Sequence, residues 1–257
     1  MSESTTVSAL EIPRIRHAEA MRITATEHGR LLDQVRALGQ EDWQAATDCP
    51  PWTVRDMVVH LIASAQAQAN PAEFARQVWR GRPLTAEIGG QHWVDGLNEA
   101  QLRARTTWTT EQLGQRWQKA SAAALAARRR MPAPIRALPL LPLGSSLGID
   151  LGWQPLGYLF DMGFTRDVWM HRVDIARAVG RPLVLTAEHD GRIVADIIAE
   201  WAELHTDPFT LELHGPAGGR YAARGGDAPV SLDAVDFVRI LSGRGDGDGV
   251  LRHKLPL

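Results

Sequence analysis

A chain of 257 residues with 44% hydrophobic and 23% charged side chains has ordinary globular composition, with core enough for one large domain or two modest ones. Lys+Arg is 28 and Asp+Glu is 30; the resulting net charge of −2 argues against a basic nucleic-acid footprint. The single cysteine, Cys49, excludes an internal disulfide and a multi-cysteine zinc site, so any metal must rest mainly on histidines and carboxylates.

The first residues, Met1-Ser-Glu-Ser-Thr-Thr, have no basic segment leading into an apolar one. No run approaches the roughly 18 apolar residues of a membrane span. The expectation is a cytoplasmic protein without a membrane or nucleic-acid partner. Arginine outnumbers lysine 26 to 2, which with abundant Ala and Gly suggests a GC-rich genome.

Helical spacing of apolar residues runs from Arg14 to Leu38, and Gly39 is a natural stop. Thr53 predicts an N-cap, with Asp56 three residues on, for a helix from Val54 to about Ala69 that stops before Pro71. Two more helical stretches follow near Gly90–Thr106 and Thr110–Arg130. Residues 131–153 carry prolines and glycines in an apolar segment and predict a loop, laid over apolar surface or walling a pocket. Leu156–Val179 is the best amphipathic helix, closed by Gly180. Thr186 predicts the cap of a helix to about Leu204. Phe209–His214 alternates like a half-buried strand. A turn at Gly215–Gly219, a strand near Arg220–Arg224 and a helix from Leu232 to Leu241 capped by Ser231 complete the reading. The picture is a helical bundle over residues 1–182 and a small α+β module over 183–257.

Asp167 and His171 are four apart, so they share one helix face and can point at one cation. His60, on an otherwise apolar face, is the candidate third ligand. A lone histidine there is more often a core residue, and Asp167 has Arg166 and Arg172 as alternative ion-pair partners. Asp174 is a candidate support for a ligand, or a partner of Arg177, and Asn98 could face the bundle interior. Trp52, Trp153 and Trp169 are pocket-lining or core candidates. Gly144-Ser-Ser-Leu-Gly148 matches G-x-S-x-G but lacks the strand and helix a nucleophile elbow needs. Gly243–Gly249 lacks the spacing of a dinucleotide or calcium loop.

Two words carry a resemblance. Cys49-Pro-Pro-Trp-Thr-Val-Arg-Asp-Met-Val-Val-His-Leu61 and Arg166-Asp-Val-Trp-Met-His-Arg-Val-Asp-Ile-Ala-Arg-Ala-Val-Gly180 resemble the signatures of the mycothiol-dependent maleylpyruvate isomerase family, within the DinB-like metal-binding four-helix-bundle superfamily. The words Leu213-His-Gly-Pro-Ala-Gly-Gly-Arg220 and Asp233-Ala-Val-Asp-Phe-Val-Arg239 are similar to its small α+β appended domain, related to sterol carrier proteins. In that family Cys49 falls at a structural position of the first word. The resemblance implies a divalent metal, usually zinc, held by His60, Asp167 and His171. It also implies mycothiol as a thiol cosubstrate, transferred to a small electrophile or used in isomerisation, and an arginine of the C-terminal domain, for which Arg220, Arg239 and Arg244 are candidates. The family's isomerase has Glu where this chain has Asp167, shorter by one methylene. A metal-dependent hydrolase and a non-enzymatic binding module are the rival readings, and both monomer and homodimer fit the sequence.

Overall fold

The computed structural model describes residues 5–142, 145–146, 149–226 and 228–255. In chain order its elements are β1 (Val7–Ser8), α1 (His17–Arg36), α2 (Val54–Ala69), α3 (Pro71–Glu87), α4 (Trp93–Arg103), α5 (Thr110–Arg130), α6 (Ala133–Arg136), β2 (Leu141–Pro142), β3 (Ser145–Ser146), β4 (Ile149–Asp150) and β5 (Trp153–Gln154). They continue with α7 (Phe164–Ala178), α8 (Arg192–Leu204), β6 (Phe209–His214), β7 (Gly219–Ala223), β8 (Pro229–Asp233) and α9 (Ala234–Leu241). The protein is mainly helical, with a small sheet towards its C-terminus. No described helix is long and apolar enough to cross a membrane.

The chain forms two compact units. The helical unit comprises His17–Leu140 and Pro155–Pro182. In it α1, α2, α5 and α7 pack into a four-helix bundle, and α3 and α4 form a hairpin against α2. Its core is built on Leu31, Met57, Leu61, Leu113, Trp117 and Ile175. Helix α2 begins where the sequence predicts. Thr53 accepts from the Asp56 N–H, and the Asp56 carboxylate accepts in return from the Thr53 N–H at 3.1 Å. A one-residue break separates α2 from α3, which the sequence reading left out. Pro71 stops α2 but opens α3, because a proline in the first turn has no N–H to satisfy, and the Asn70 side chain caps the Ala72 N–H at 2.9 Å. A wide π-helical turn over Tyr158–Gly163 precedes α7, and Gly180 ends that helix at φ +64°.

The second unit gathers Leu183–Leu257 with Leu141–Gln154 and with the N-terminal stretch ending at Arg16. This departs from the expected division at 182/183 with everything earlier in the bundle. The reason is long-range pairing: β1 lies parallel to β7, and Arg14 reaches Glu200 at 2.8 Å. The sheet order is β1-β7-β6-β8, with β6 antiparallel to β7 and parallel to β8. Phe209, Leu211 and Leu213 of β6 are buried, and Phe209 packs on Trp201 of α8 with ring centroids 4.8 Å apart. Two expectations are corrected here. Residues 229–233 form strand β8 before α9, and the α9 cap is Asp233, whose carboxylate accepts from the Val235 N–H, so Ser231 is a strand residue. Thr186 does not cap by its side chain; its N–H donates instead to Asp190, ahead of a π-helical turn at Ala187–Gly191.

The expected loop at 131–153 contains the short α6 and two antiparallel ladders, β2 with β5 and β3 with β4. Within Gly144–Gly148, Ser145–Ser146 form β3, while Gly144, Leu147 and Gly148 lie outside the described residues.

Candidate metal centre

The helical unit brings His60 of α2 together with Asp167 and His171 of α7. One donor atom from each lies within 4.8 Å of the others. His60 and His171 are buried, and Asp167 is half-buried. The His60 Nε2 is 3.6 Å from Asp167 Oδ2, and the His171 Nε2 is 3.3 Å from Asp167 Oδ1. Charge-assisted hydrogen bonds would be shorter, at about 2.7–2.9 Å. Two ligands bound tetrahedrally to one cation at about 2.1 Å lie about 3.4 Å apart, and each imidazole nitrogen stands at about that distance from one oxygen of the carboxylate, His60 from Oδ2 and His171 from Oδ1. The donor set of two imidazoles and one carboxylate suits zinc and leaves a coordination position for another ligand.

The other nitrogen of each ring is occupied. His171 Nδ1 donates to Asp174 Oδ2 at 3.0 Å, and Asp174 is fully buried. His60 Nδ1 lies 2.8 Å from Gln101 Oε1. A metal-ligating histidine needs such a partner to fix its tautomer and turn Nε2 to the cation. Two of the arginines named as alternative partners engage other carboxylates. Arg172 engages Glu27 at 2.6 Å, and Arg177 engages Asp48 at 3.1 Å, so Asp174 serves His171.

Electrostatics couple the cluster. Burial pushes the Asp167 carboxyl up, but His171 and His60 outweigh it and hold it well below the ordinary carboxylate range. Burial pulls His171 down, but Asp167 and Asp174 raise it well above an ordinary histidine.

Trp52 covers the two ligand rings, its centroid 5.0 Å from His60 and 6.2 Å from His171. Trp169 is core, and Trp153 is 67% exposed, so it lines no described core. Cys49 is half-buried and its thiol donates to Asp174 at 3.6 Å, behind His171. Cys49, His171 and Asp174 also gather donor atoms within 4.8 Å, but through the His171 nitrogen that Asp174 already occupies. The sequence reading missed Gln101. It named Asn98, one turn earlier on α4, which is half-buried with an Oδ1 that has no partner among the described residues. Arg220, Arg239 and Arg244 belong to the second unit, where Arg239 reaches the Arg244 carbonyl at 3.4 Å.

Residues 24–176 match the family model of the mycothiol maleylpyruvate isomerase N-terminal domain. The chain belongs to that family. Two solved structures share its fold across both chains. One, of the mycothiol-dependent maleylpyruvate isomerase, is 18% identical, with 91% of this chain and 92% of that chain covered and a TM-score of 0.56. The other, a histidine-to-alanine mutant of the mycothiol-dependent maleylpyruvate isomerase, is 17% identical, with 90% of each chain covered and a TM-score of 0.57. No curated protein sequence matches the chain.

Proposed function

We propose that this protein holds a divalent cation, zinc in the first instance, on His60, Asp167 and His171, and uses it to activate a low-molecular-weight thiol. The family and the fold make mycothiol the proposed cosubstrate and a small electrophile of the maleylpyruvate kind the proposed substrate. One observation carries the reading: both buried Nε2 atoms converge on the Asp167 carboxylate while both Nδ1 atoms are held from behind.

A bound divalent cation would supply Lewis acidity that favours the thiolate, the nucleophilic form, over the thiol. The chain's own residues set that up. Asp174 takes the Nδ1 proton of His171 as a hydrogen bond and so presents Nε2 as a lone pair. Asp167 contributes one negative charge, leaving net positive charge for an anionic sulfur. Trp52 puts an aromatic face against both imidazoles and limits water on that side. For Arg220, Arg239 and Arg244 the reading proposes a part in holding the thiol cosubstrate, tested by single alanine substitutions.

The test is metal content by mass spectrometry on untagged protein, beside turnover with and without mycothiol. About one zinc per chain and turnover that vanishes without thiol support the reading. Turnover indifferent to thiol would move it to hydrolysis. A wild type that stays metal-free in added zinc would remove it.

A further inference from the structure

His60 receives its support from a neutral amide, whereas His171 receives it from a carboxylate. A carboxylate can only accept, so it fixes a histidine tautomer unaided. An amide offers either its oxygen or its NH2 group. Something else must therefore decide which end of Gln101 faces His60.

The deciding groups lie two residues away in a buried chain. Gln101 Nε2 donates to Gln77 Oε1 at 2.8 Å. Gln77 Nε2 donates to the Ala63 carbonyl at 3.0 Å and to Glu73 Oε1 at 2.8 Å. Gln77 and Gln101 are both almost fully buried. A backbone carbonyl cannot donate. Burial pushes the Glu73 carboxyl up, but hydrogen bonds from Arg76, Gln77 and Arg105 outweigh it and hold it at about 2, so Glu73 also only accepts. With two obligate acceptors on one side, the Gln77 NH2 must face them and its oxygen must face α4. The Gln101 NH2 must then face Gln77, and its oxygen must face His60.

We propose that Gln101 and Gln77 form a relay of amides that carries the hydrogen-bond polarity of the Ala63 carbonyl and Glu73 to His60, holding an acceptor against Nδ1 so that the ring keeps its proton there and leaves Nε2 for a cation shared with Asp167. Gln101 and Gln77 are positioning residues for the metal ligand. The helix hairpin makes the relay possible. A Cβ on Gly81 would lie 2.7 Å from the Leu97 backbone, so α3 and α4 approach as only glycine allows. One turn before Gly81 on α3 stands Gln77, and one turn after Leu97 on the antiparallel α4 stands Gln101. Arg105 ties the far end, donating to the Gln101 carbonyl at 3.0 Å and to Glu73 Oε1 at 2.9 Å.

This inference rests on the metal-site reading, and its test separates the two. Long-range 1H–15N spectra of metal-free protein labelled at histidine, with His60 assigned through His60→Gln, report which ring nitrogen is protonated. A proton on Nδ1 in the wild type, and a mixture of tautomers in Gln77→Leu and Gln101→Leu, is expected. A bare Nδ1 in the wild type, or an unchanged proton on Nδ1 in Gln77→Leu, overturns the relay whatever the metal does.

Zinc affinity, by competition with a chromophoric chelator, is the second readout. Gln101→Leu weakens zinc about 10- to 100-fold. Gln77→Leu weakens it less, and the double variant is no weaker than Gln101→Leu alone, because both act through one bond. Gln101→Glu keeps an acceptor for Nδ1 but loses the donor to Gln77 Oε1, so it recovers part of the loss, and more of it when combined with Gln77→Leu. Additive losses in the double variant, or wild-type affinity in Gln101→Leu, would show packing only and overturn the proposal. If the wild type binds no zinc, the metal reading falls and the spectra decide the relay alone.

Discussion

Histidines in the two units of this protein are buried alike and treated differently. In the helical unit His60 and His171 each have an oxygen behind Nδ1 and a carboxylate before Nε2. In the second unit His205 is just as buried, yet neither ring nitrogen has a hydrogen-bond partner among the described residues. It stacks on His253 at 4.5 Å and packs against Trp201 and Phe209. Burial, with His253 beside it, pulls its pKa down to about 4. A buried histidine with acceptors converging on both nitrogens is held in one orientation, as a ligand would need to be, whereas one without them packs as an aromatic filler.

The largest break in this contrast is removal of a ligand. His171→Ala and His60→Ala should each take zinc from about one per chain to near none, measured by mass spectrometry after dialysis. His205→Ala should leave the zinc content unchanged. Zinc lost equally in all three would mean that folding, and not ligation, is being read.

The next effect is structural. Arg128 is fully buried and donates to the Phe160 carbonyl at 2.7 Å and to the Thr165 hydroxyl at 2.8 Å, at the π-helical turn before α7. Arg128→Leu removes these buried charge-assisted bonds and should cost about 2–4 kcal/mol in urea unfolding.

Acid sharpens the comparison through opposite signs. For His205, with a folded value of about 4 and an ordinary value of 6.5, the unfolded chain binds more protons between them. Its contribution to stability is therefore lost as pH falls from 6.5 towards 4, and His205→Phe should flatten that part of the curve. His28 in the bundle, lowered to about 3 by burial and by Arg128, has the same sign and should leave residual acid sensitivity. His171 is raised, so in metal-free protein its contribution is full below 6.5 and lost as pH rises through its folded value. Zinc must displace that proton. Affinity should fall about tenfold per pH unit on the acid side, with proton release measured in weak buffer.

The smallest effect is expected at the hairpin. Gly81→Ala sets a Cβ against the Leu97 backbone, so it must push α3 from α4 at a cost in stability, while lowering zinc affinity only a few-fold, with unfolding and chelator competition as the paired measurements. A large loss of stability with unchanged affinity would detach the hairpin from the site.

Local features were legible from residues alone. The Thr53 cap acts within one turn, and Asp167 and His171 share a face by helical period, so neighbours along the chain settled both. His60 was a candidate from its place on an apolar helix face, but no spacing ties it to Asp167, 107 positions on, and the family word around it is what singled it out. Pro71 was read only as the stop of α2 and the helix after it was left out, although a proline opening a helix costs it no hydrogen bond.

What the sequence by itself determined is therefore the set of helices whose capping and period are local, and the family to which their signature words point. Tertiary structure alone decided the rest. The N-terminal residues pair with β7 across more than two hundred positions, and Gln77 and Gln101 meet on different helices where a glycine lets them approach. The physical reason is range. A cap or a helix face is set by bonds within four residues, whereas an amide's orientation depends on acceptors that only folding brings beside it.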